Sequence, residues 1–168
     1  DSTAGTAITT GTDNTLLGSN AGAAITSGYD NVCIGLNAAP SMTTAEKSLI
    51  LGSGAGFSLT SGNRNIFAGG AAGYNCSTGN YNIGIGGWAL QGGTAKLTGS
   101  YNVGLGIDTG LNLTTGQYNV LNGYKAGYSL TTATDQILIG QKAGLSIVAG
   151  TGSVCIGLSA GEFQQNLT

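Results

Sequence analysis

The sequence is poor in the residues on which most enzymes and nucleic-acid-binding proteins depend. Its 168 residues include no histidine, one proline, 5 Lys and Arg and 7 Asp and Glu. Histidine is the commonest general base and metal ligand, so its absence lowers the expectation of catalysis or metal binding. So few basic side chains cannot form the cationic surface that nucleic acids or anionic membranes require. We therefore predict that the chain is not an enzyme, needs no metal or cofactor and binds no nucleic acid.

Other absences narrow the class further. No apolar run reaches the roughly 18 residues of a membrane span, so no membrane insertion is expected. Proline is too rare for collagen. Because 40% of the residues are hydrophobic and the net charge is only -2, intrinsic disorder is not expected. The three cysteines, Cys33, Cys76 and Cys155, are too few for a disulfide framework.

The chain is rich in glycine, with 32 residues, and its sequence contains a repeat. The motif Asn-apolar-x-apolar-Gly recurs every 17 residues, with one longer step of 20 residues. Its nine copies begin at Asn14, Asn31, Ser48, Asn65, Asn82, Asn102, Asn119, Gln136 and Ser153. Positions within a copy are counted below from this first residue, which is position 0. A strict period of this length is typical of solenoid proteins.

The pattern within each copy predicts an all-β fold. Apolar residues at positions +1 and +3 alternate with period two, as in a strand, and glycine at +4 marks a turn. Alanine at +7 and an apolar residue six before the next copy complete the pattern. We predict a parallel β-solenoid (β-roll) of about nine 17-residue coils, each with two short strands and two tight corners. Positions +1, +3, +7 and -6 are expected to point inward, and the Asn side chains to hydrogen-bond to one another and to the backbone.

Position +2 is also apolar, which predicts a second buried surface. It reads Leu16, Cys33, Ile50, Phe67, Gly84, Gly104, Leu121, Leu138 and Cys155. If +1 and +3 point inward, +2 points outward, and such a stripe on a rod exceeds what a soluble monomer exposes. We therefore predict a homotrimer whose rods pack laterally through Leu16, Cys33, Ile50, Phe67, Leu121, Leu138 and Cys155. Cys33 and Cys155 are interpreted as apolar fillers of that interface and Cys76 as a buried thiol.

These motifs resemble the repeats of known fibres. Asn-Val-x-Ile-Gly-x-x-Ala is similar to the repeat of trimeric autotransporter adhesin heads, and the longer unit at 117–132 resembles repeats in phage tail fibres and in the phage-like mosaic adhesive fibres of predatory bacteria. The resemblance covers residues 8–163. It implies an extracellular, cell-surface or virion fibre that mediates adhesion by recognising glycans or envelope components of a host or prey cell.

The expected organisation is a single repeat domain over residues 1–168. It comprises a partial leading coil at 1–11, nine coils at 12–161 with an insertion at about 90–97, and a polar tail at 162–168. Neither end resembles a full cap, so the chain is interpreted as a segment of a longer fibre.

Ligand-binding residues are sought where the repeat is broken, because the repeat itself serves the scaffold. The 20-residue step contains Trp88, the only tryptophan, and Gln91. The other candidates are tyrosines that recur at fixed positions, namely Tyr81, Tyr101 and Tyr118 at -1 and Tyr74 and Tyr128 at +9. Structural stacking of these rings is the alternative interpretation.

Two other functions remain open. The chain is alternatively a purely structural fibre shaft. Repeated Thr and Ser pairs, such as Thr43-Thr44 and Thr131-Thr132, also allow an ice-binding β-solenoid. No pair of carboxylates recurs in a register typical of glycoside cleavage.

Overall fold

A computed structural model describes residues 3–163 and shows one parallel β-sheet of nine strands in sequential order. The strands are β1 (Thr15–Leu17), β2 (Val32–Ile34), β3 (Leu49–Leu51), β4 (Ile66–Ala68), β5 (Ile83–Ile85), β6 (Val103–Leu105), β7 (Val120–Asn122), β8 (Ile137–Ile139) and β9 (Val154–Ile156). Equivalent positions pair throughout, for example Leu16 with Cys33 and Leu138 with Cys155. The predicted all-β parallel solenoid is confirmed, since each chain segment between paired strands makes one turn of a rod. The described residues contain no helix that could span a membrane.

Each coil contains one regular strand, not the two that the sequence predicts. The remainder of the coil consists of turns whose backbone groups bond to the neighbouring coils, as when Gly22 N donates to Ala38 O at 2.9 Å. Between residues 3 and 163, a second ladder is reduced to two isolated bridges, Cys76 with Leu97 and Thr134 with Thr151. Frequent left-handed residues keep these segments from extending into strands, because αL backbone does not fit a β-ladder.

The orientation of the strands is opposite to the prediction. The central +2 residues Cys33, Ile50, Phe67, Leu121 and Leu138 are fully buried inside a single chain. The flanking +1 and +3 residues form the outer face and are half-buried or exposed.

The prediction that the +2 side chains form the trimer interface is therefore wrong. Leu16, Cys33, Ile50, Phe67, Leu121, Leu138 and Cys155 belong to the interior or pack against it. The physical reason is that a three-residue strand has one central side chain, which fits the narrow interior of the coil, whereas two neighbouring inward side chains do not.

The interior is filled by three rows of side chains. Most alanines at +7 and most apolar residues at -6 are buried as predicted, including Ala21, Ala72, Leu59 and Leu130, whereas Ile8 in the leading coil is exposed. Where a +2 residue is small, a neighbour fills the space. A Cβ on Gly104, for example, would come within 2.9 Å of the Leu90 side chain. Correlated volumes of this kind are typical of close-packed interiors.

A buried ladder of asparagine side chains runs along the rod, as predicted. Asn102 Nδ2 donates to Asn82 Oδ1 at 3.0 Å and to Gly116 O at 3.0 Å. Asn102 Oδ1 in turn accepts from the Asn119 backbone N at 3.2 Å and from Asn119 Nδ2 at 2.8 Å. The ladder thus satisfies backbone groups that the turns leave without partners.

Glycine at +4 is required by the distance between coils. Gly123 has a φ of 131°, and a Cβ there would lie 2.6 Å from the carbonyl carbon and oxygen of Gly140. A side chain at this position collides with the next coil, so the column is restricted to glycine.

The 20-residue coil contains both an insertion and a deletion. Leu97 occupies the buried -6 position, since it pairs with Cys76 and is fully buried. Four extra residues therefore lie between Gln91 and Leu97, and one residue is missing from the Thr-Thr-Gly turn. Thr94, Ala95 and Lys96 are exposed, so the insertion forms a surface loop as predicted. Most of the predicted polar tail lies outside the described residues.

Candidate functional site

The outer face of the sheet is a long apolar surface. It consists of the +1 and +3 side chains of the nine strands, which we call the outer face. Its members are Thr15, Leu17, Val32, Ile34, Leu49, Leu51, Ile66, Ala68, Ile83, Ile85, Val103, Leu105, Val120, Asn122, Ile137, Ile139, Val154 and Ile156. Only Thr15 and Asn122 are polar, and none is charged. With strands about 4.8 Å apart the face is roughly 40 Å long.

A second surface lies at the turn before each strand. Its side chains occupy position -1, and we call them the edge row: Asp13, Asp30, Lys47, Arg64, Tyr81, Tyr101, Tyr118, Asp135 and Gly152. All nine residues have a positive φ, which every residue other than glycine adopts at an energetic cost. The common backbone conformation makes successive side chains leave the rod in the same direction.

Three predicted ligand-binding tyrosines form a stack within the edge row. The Tyr81 and Tyr101 ring centroids lie 4.9 Å apart, and those of Tyr101 and Tyr118 lie 5.1 Å apart. The interplanar angles are 6° and 8°, so the rings lie face to face along the rod. Their exposure increases along the stack, from 38% at Tyr81 to 46% at Tyr101 and 54% at Tyr118.

The N-terminal end of the stack is closed by a cation. The Arg64 guanidinium carbon lies 5.4 Å from the Tyr81 ring centroid, and Arg64 Nη1 donates a hydrogen bond to Tyr81 Oη. Tyr101 lies between its two neighbours. Of the three stacked tyrosines, Tyr118 alone has a face that no ring or guanidinium of residues 3–163 covers.

A polar cluster precedes the stack. Tyr29 Oη donates to Glu46 Oε2 at 2.5 Å, and Lys47 Nζ lies 5.6 Å from the Tyr29 ring centroid. The hydrogen bond to Glu46 raises the pKa of the Tyr29 phenol, which burial and the charge of Glu46 also raise. The charges of this region are therefore engaged with neighbours in the same protein.

The other predicted binding residues do not join this stack. Tyr74 stacks on Phe57 with centroids 4.8 Å apart. Tyr128 lies beside Lys125, whose Nζ is 5.3 Å from its ring centroid.

Trp88 is 47% exposed and lies at position +6, before the surface loop, whereas Gln91 is half-buried at +9. The seven candidates thus occupy three separate rows, at -1, +6 and +9.

The threonine rows mainly hold neighbouring coils together. The first hydroxyl of each pair donates to the next coil, as from Thr26 Oγ1 to Thr43 O at 3.3 Å and from Thr114 Oγ1 to Thr131 O at 3.1 Å. The second residue of the pair, such as Thr44 or Thr115, is exposed. One hydroxyl therefore faces solvent in most coils, and the row is interrupted in the long coil and again at Ala149.

The three cysteines are buried in the interior, and no disulfide joins them within the described part of the chain. Burial raises the pKa of the Cys33 and Cys76 thiols to about 12, so both are protonated and unreactive at neutral pH. Within residues 3–163, the acidic and cysteine side chains form no group of three that could hold a metal ion. The same residues form no enclosed ligand pocket.

The chain matches no protein-family model, and neither the curated proteins nor the solved structures include a detectable relative. Its site residues must therefore be judged from chemistry alone.

The sequence analysis did not predict two features of the edge row. Asp135 and Gly152 follow Tyr118 at the same position, so that a short side chain and then no side chain succeed the last ring. The signal was the 17-residue spacing from Tyr118 to Asp135 and on to Gly152, which places them side by side along the rod.

Proposed function

We propose that this chain is a segment of an extracellular adhesive fibre, on a cell surface or a virion, built as a homotrimer and recognising surface glycans or envelope components. The single observation that carries the proposal is the apolar outer face. The resemblance of the repeats to fibre and adhesin repeats supports the same function.

The size of the outer face supports association with other copies. Its exposed side chains include Leu17, Ile85, Val154 and Ile156, with exposures of 61%, 44%, 63% and 66%. The face runs across all nine strands without a charged residue. Soluble monomers rarely expose a continuous apolar patch of this kind, which is typical of an interaction surface. Covering the face removes a large apolar area from water.

The polar exception on this face favours parallel packing. Asn122 interrupts the +3 row in the seventh strand, β7. In a parallel bundle, the Asn122 side chains of all copies meet at the same height and can hydrogen-bond to one another. In an antiparallel pair, Asn122 faces the aliphatic residues of β3 and is left without a partner, at a cost of about 1–3 kcal/mol. Three rods around one axis bury their outer faces together, which is the arrangement proposed here.

Recognition is assigned to the surfaces that trimer packing leaves free. The edge row and the exposed Trp88 present aromatic rings on a surface with few charges. Aromatic faces combined with polar groups suit sugars, which have an apolar CH side and many hydroxyls. Catalysis is not part of the proposal.

A purely structural shaft is the second candidate. It is favoured by the self-contained packing of the aromatic residues, since most tyrosine faces are covered by a neighbouring ring or cation. Under this alternative the trimer forms, but the chain binds no receptor.

The first experiment measures the solution mass by light scattering coupled to size exclusion. A mass three times 16.5 kDa is the expected result. Ile137→Lys, a charge on the outer face, is expected to dissociate the trimer, whereas Thr132→Lys, on an exposed turn, should leave the mass unchanged. A monomeric wild-type protein at micromolar concentration contradicts the trimer, and a dimer supports the interface but contradicts the threefold arrangement.

Receptor recognition is tested separately on a glycan array. The trimer is expected to bind a subset of glycans, and Trp88→Ala tests whether the tryptophan takes part. A folded trimer that binds neither glycans nor target cells favours the structural shaft. Thermal hysteresis of the wild-type protein would instead support ice binding.

A further inference from the structure

The stack of tyrosines in the edge row ends abruptly at Tyr118. One face of its ring packs against Tyr101, with the ring centroids 5.1 Å apart, and the opposite face of the ring points along the rod towards the next coil. At 54%, its exposure is the largest in the stack. Within the described part of the chain, no ring or cation covers that second face, unlike at the opposite end of the stack, where Arg64 covers Tyr81.

The next two coils leave space in front of that open face. Position -1 is Asp135 one coil further on, about 4.8 Å along the rod, and Gly152 two coils further on, about 10 Å away. An aspartate side chain is too short to cover a tyrosine ring, and a Cβ built on Gly152 meets no atom within 4 Å. The surface beyond the uncovered face of the Tyr118 ring is therefore open. We call this open space, bordered by Tyr118, Asp135 and Gly152, the step.

Polar groups border this step without being engaged. Asp135 is exposed, and its carboxylate forms no hydrogen bond or ion pair within residues 3–163. Gln117, which precedes Tyr118, exposes a further hydrogen-bonding side chain, and Thr134, which precedes Asp135, is half-buried. Exposed carboxylate and amide groups beside an aromatic face are complementary to the hydroxyls and the CH face of a sugar ring.

The backbone conformation at Tyr118 is shared by the whole edge row. Tyr118 has a φ of 57°, a conformation that glycine or aspartate adopts at lower cost, and aspartate and glycine do occupy this position in other coils, including the two coils that follow. The fold itself therefore does not require an aromatic ring at this position.

We propose that the open face of Tyr118, with the Asp135 carboxylate beside it, binds one neutral pyranose ring of a glycan. The sugar stacks its CH face on the tyrosine, and its hydroxyls donate to the carboxylate. The step is one to two coils high, which suits a single ring and excludes a second one stacked upon it. This inference rests on the proposed glycan recognition and assigns it to one place on the rod.

The test is a titration of the protein, with ¹³C-labelled tyrosine rings, by cellotetraose, tetra-N-acetylchitotetraose and N-acetyllactosamine. Tyr118→Phe first identifies the Tyr118 signal among those of the seven tyrosines. At least one sugar is expected to shift this signal, with a Kd on the order of 1 mM for a single-ring contact.

Three variants define the site. Tyr118→Ala removes the ring, and Asp135→Arg covers it in the way that Arg64 covers Tyr81. Each should weaken binding at least tenfold as measured by calorimetry, on the order of 1.4 kcal/mol. Tyr128→Ala, a tyrosine elsewhere on the rod, is the matched control and should bind like the wild type. A circular dichroism melt confirms that each variant is folded.

The outcomes separate this inference from the broader function. Binding that remains within twofold of wild type in Tyr118→Ala and Asp135→Arg overturns the step as the site but leaves glycan recognition intact. If none of the three sugars shifts the Tyr118 signal at about 50 mM, the site is overturned for neutral pyranoses. The absence of binding to any glycan on the array overturns both proposals.

Discussion

Replacing Asn102 by alanine should destabilise the rod strongly, because this side chain serves two buried backbone groups. Its Nδ2 donates to the Gly116 carbonyl at 3.0 Å, and its Oδ1 accepts from the Asn119 N–H at 3.2 Å. Alanine leaves both groups buried without a partner. A buried unsatisfied group costs about 1–3 kcal/mol, so with two such groups the free energy of unfolding should fall by about 2–6 kcal/mol.

A serine variant tests whether hydrogen bonding is the cause. Ser48 occupies the same row, and its Oγ accepts from the Asn65 N–H at 3.1 Å. Asn102→Ser should likewise retain an acceptor for the Asn119 N–H, so that the Gly116 carbonyl is the one backbone group that loses its partner. Its expected cost is therefore roughly half that of alanine, about 1–3 kcal/mol.

Urea unfolding followed by circular dichroism and by Trp88 fluorescence measures these differences. Protein concentration is held fixed, because the stability of an oligomer depends on it. Thr115→Ala, an exposed change in the same coil, is the control and should stay within about 0.5 kcal/mol of wild type. An alanine variant as stable as this control, or a serine variant no better than alanine, would refute the role assigned to the ladder.

Three further predictions concern the same rod. Gln136→Asn should raise the free energy of unfolding by about 1 kcal/mol, because Gln136 Oε1 is buried without a partner, whereas an asparagine at this position can accept from the Ser153 N–H as in the other coils. An unchanged urea midpoint contradicts this prediction. Gly123→Ala should cost about 2–5 kcal/mol through its positive φ and the collision with the next coil, and a midpoint near wild type contradicts the close approach. Stability should also fall as pH rises above 9, since the pKa of the Cys33 and Cys76 thiols is raised to about 12 and the unfolded chain alone loses their protons there. A variant with alanine at both cysteines should lose less stability between pH 8 and 10, and equal losses contradict the assignment.

The architecture could be predicted from the sequence because its period is visible in the chain. A repeat of 17 residues with a fixed glycine specifies parallel stacking in register, and the asparagine column predicts its own ladder. These features depend only on spacing and residue type.

The orientation of the strands could not be predicted in the same way. All three residues of a strand such as Leu49–Leu51 are apolar, so alternation gives no indication of which face is inside. The orientation is indicated by residues that depart from the repeat pattern. Asn122, a polar residue at +3, is tolerated only on the outside of the rod. Gly104 at +2 is small and its neighbour Leu90, at +8, is bulky, and only a closed interior requires volumes to compensate in this way.

The candidate site was only partly within reach of the sequence. The column of Tyr81, Tyr101 and Tyr118 follows from the spacing of the repeat, and its stacking from the distance between strands. Which ring face stays open depends on the residues at both ends of the column. Those neighbours matter only once the rings are known to lie along the rod.

The long coil shows that this rod can change its surface without changing its frame. Four residues are added after Gln91 and one is removed later, yet β5 and β6 pair in the same register as every other pair of strands. Gln91, Gly93 and Leu97 hold the turn to the neighbouring coils, whereas the exposed Thr94, Ala95 and Lys96 form no backbone hydrogen bond to them, so extra chain extends outward. A foreign peptide grafted between Gly93 and Lys96 should therefore be displayed at a fixed height on the rod. Grafts at the same position of successive coils would place copies of the peptide at regular intervals of about 4.8 Å.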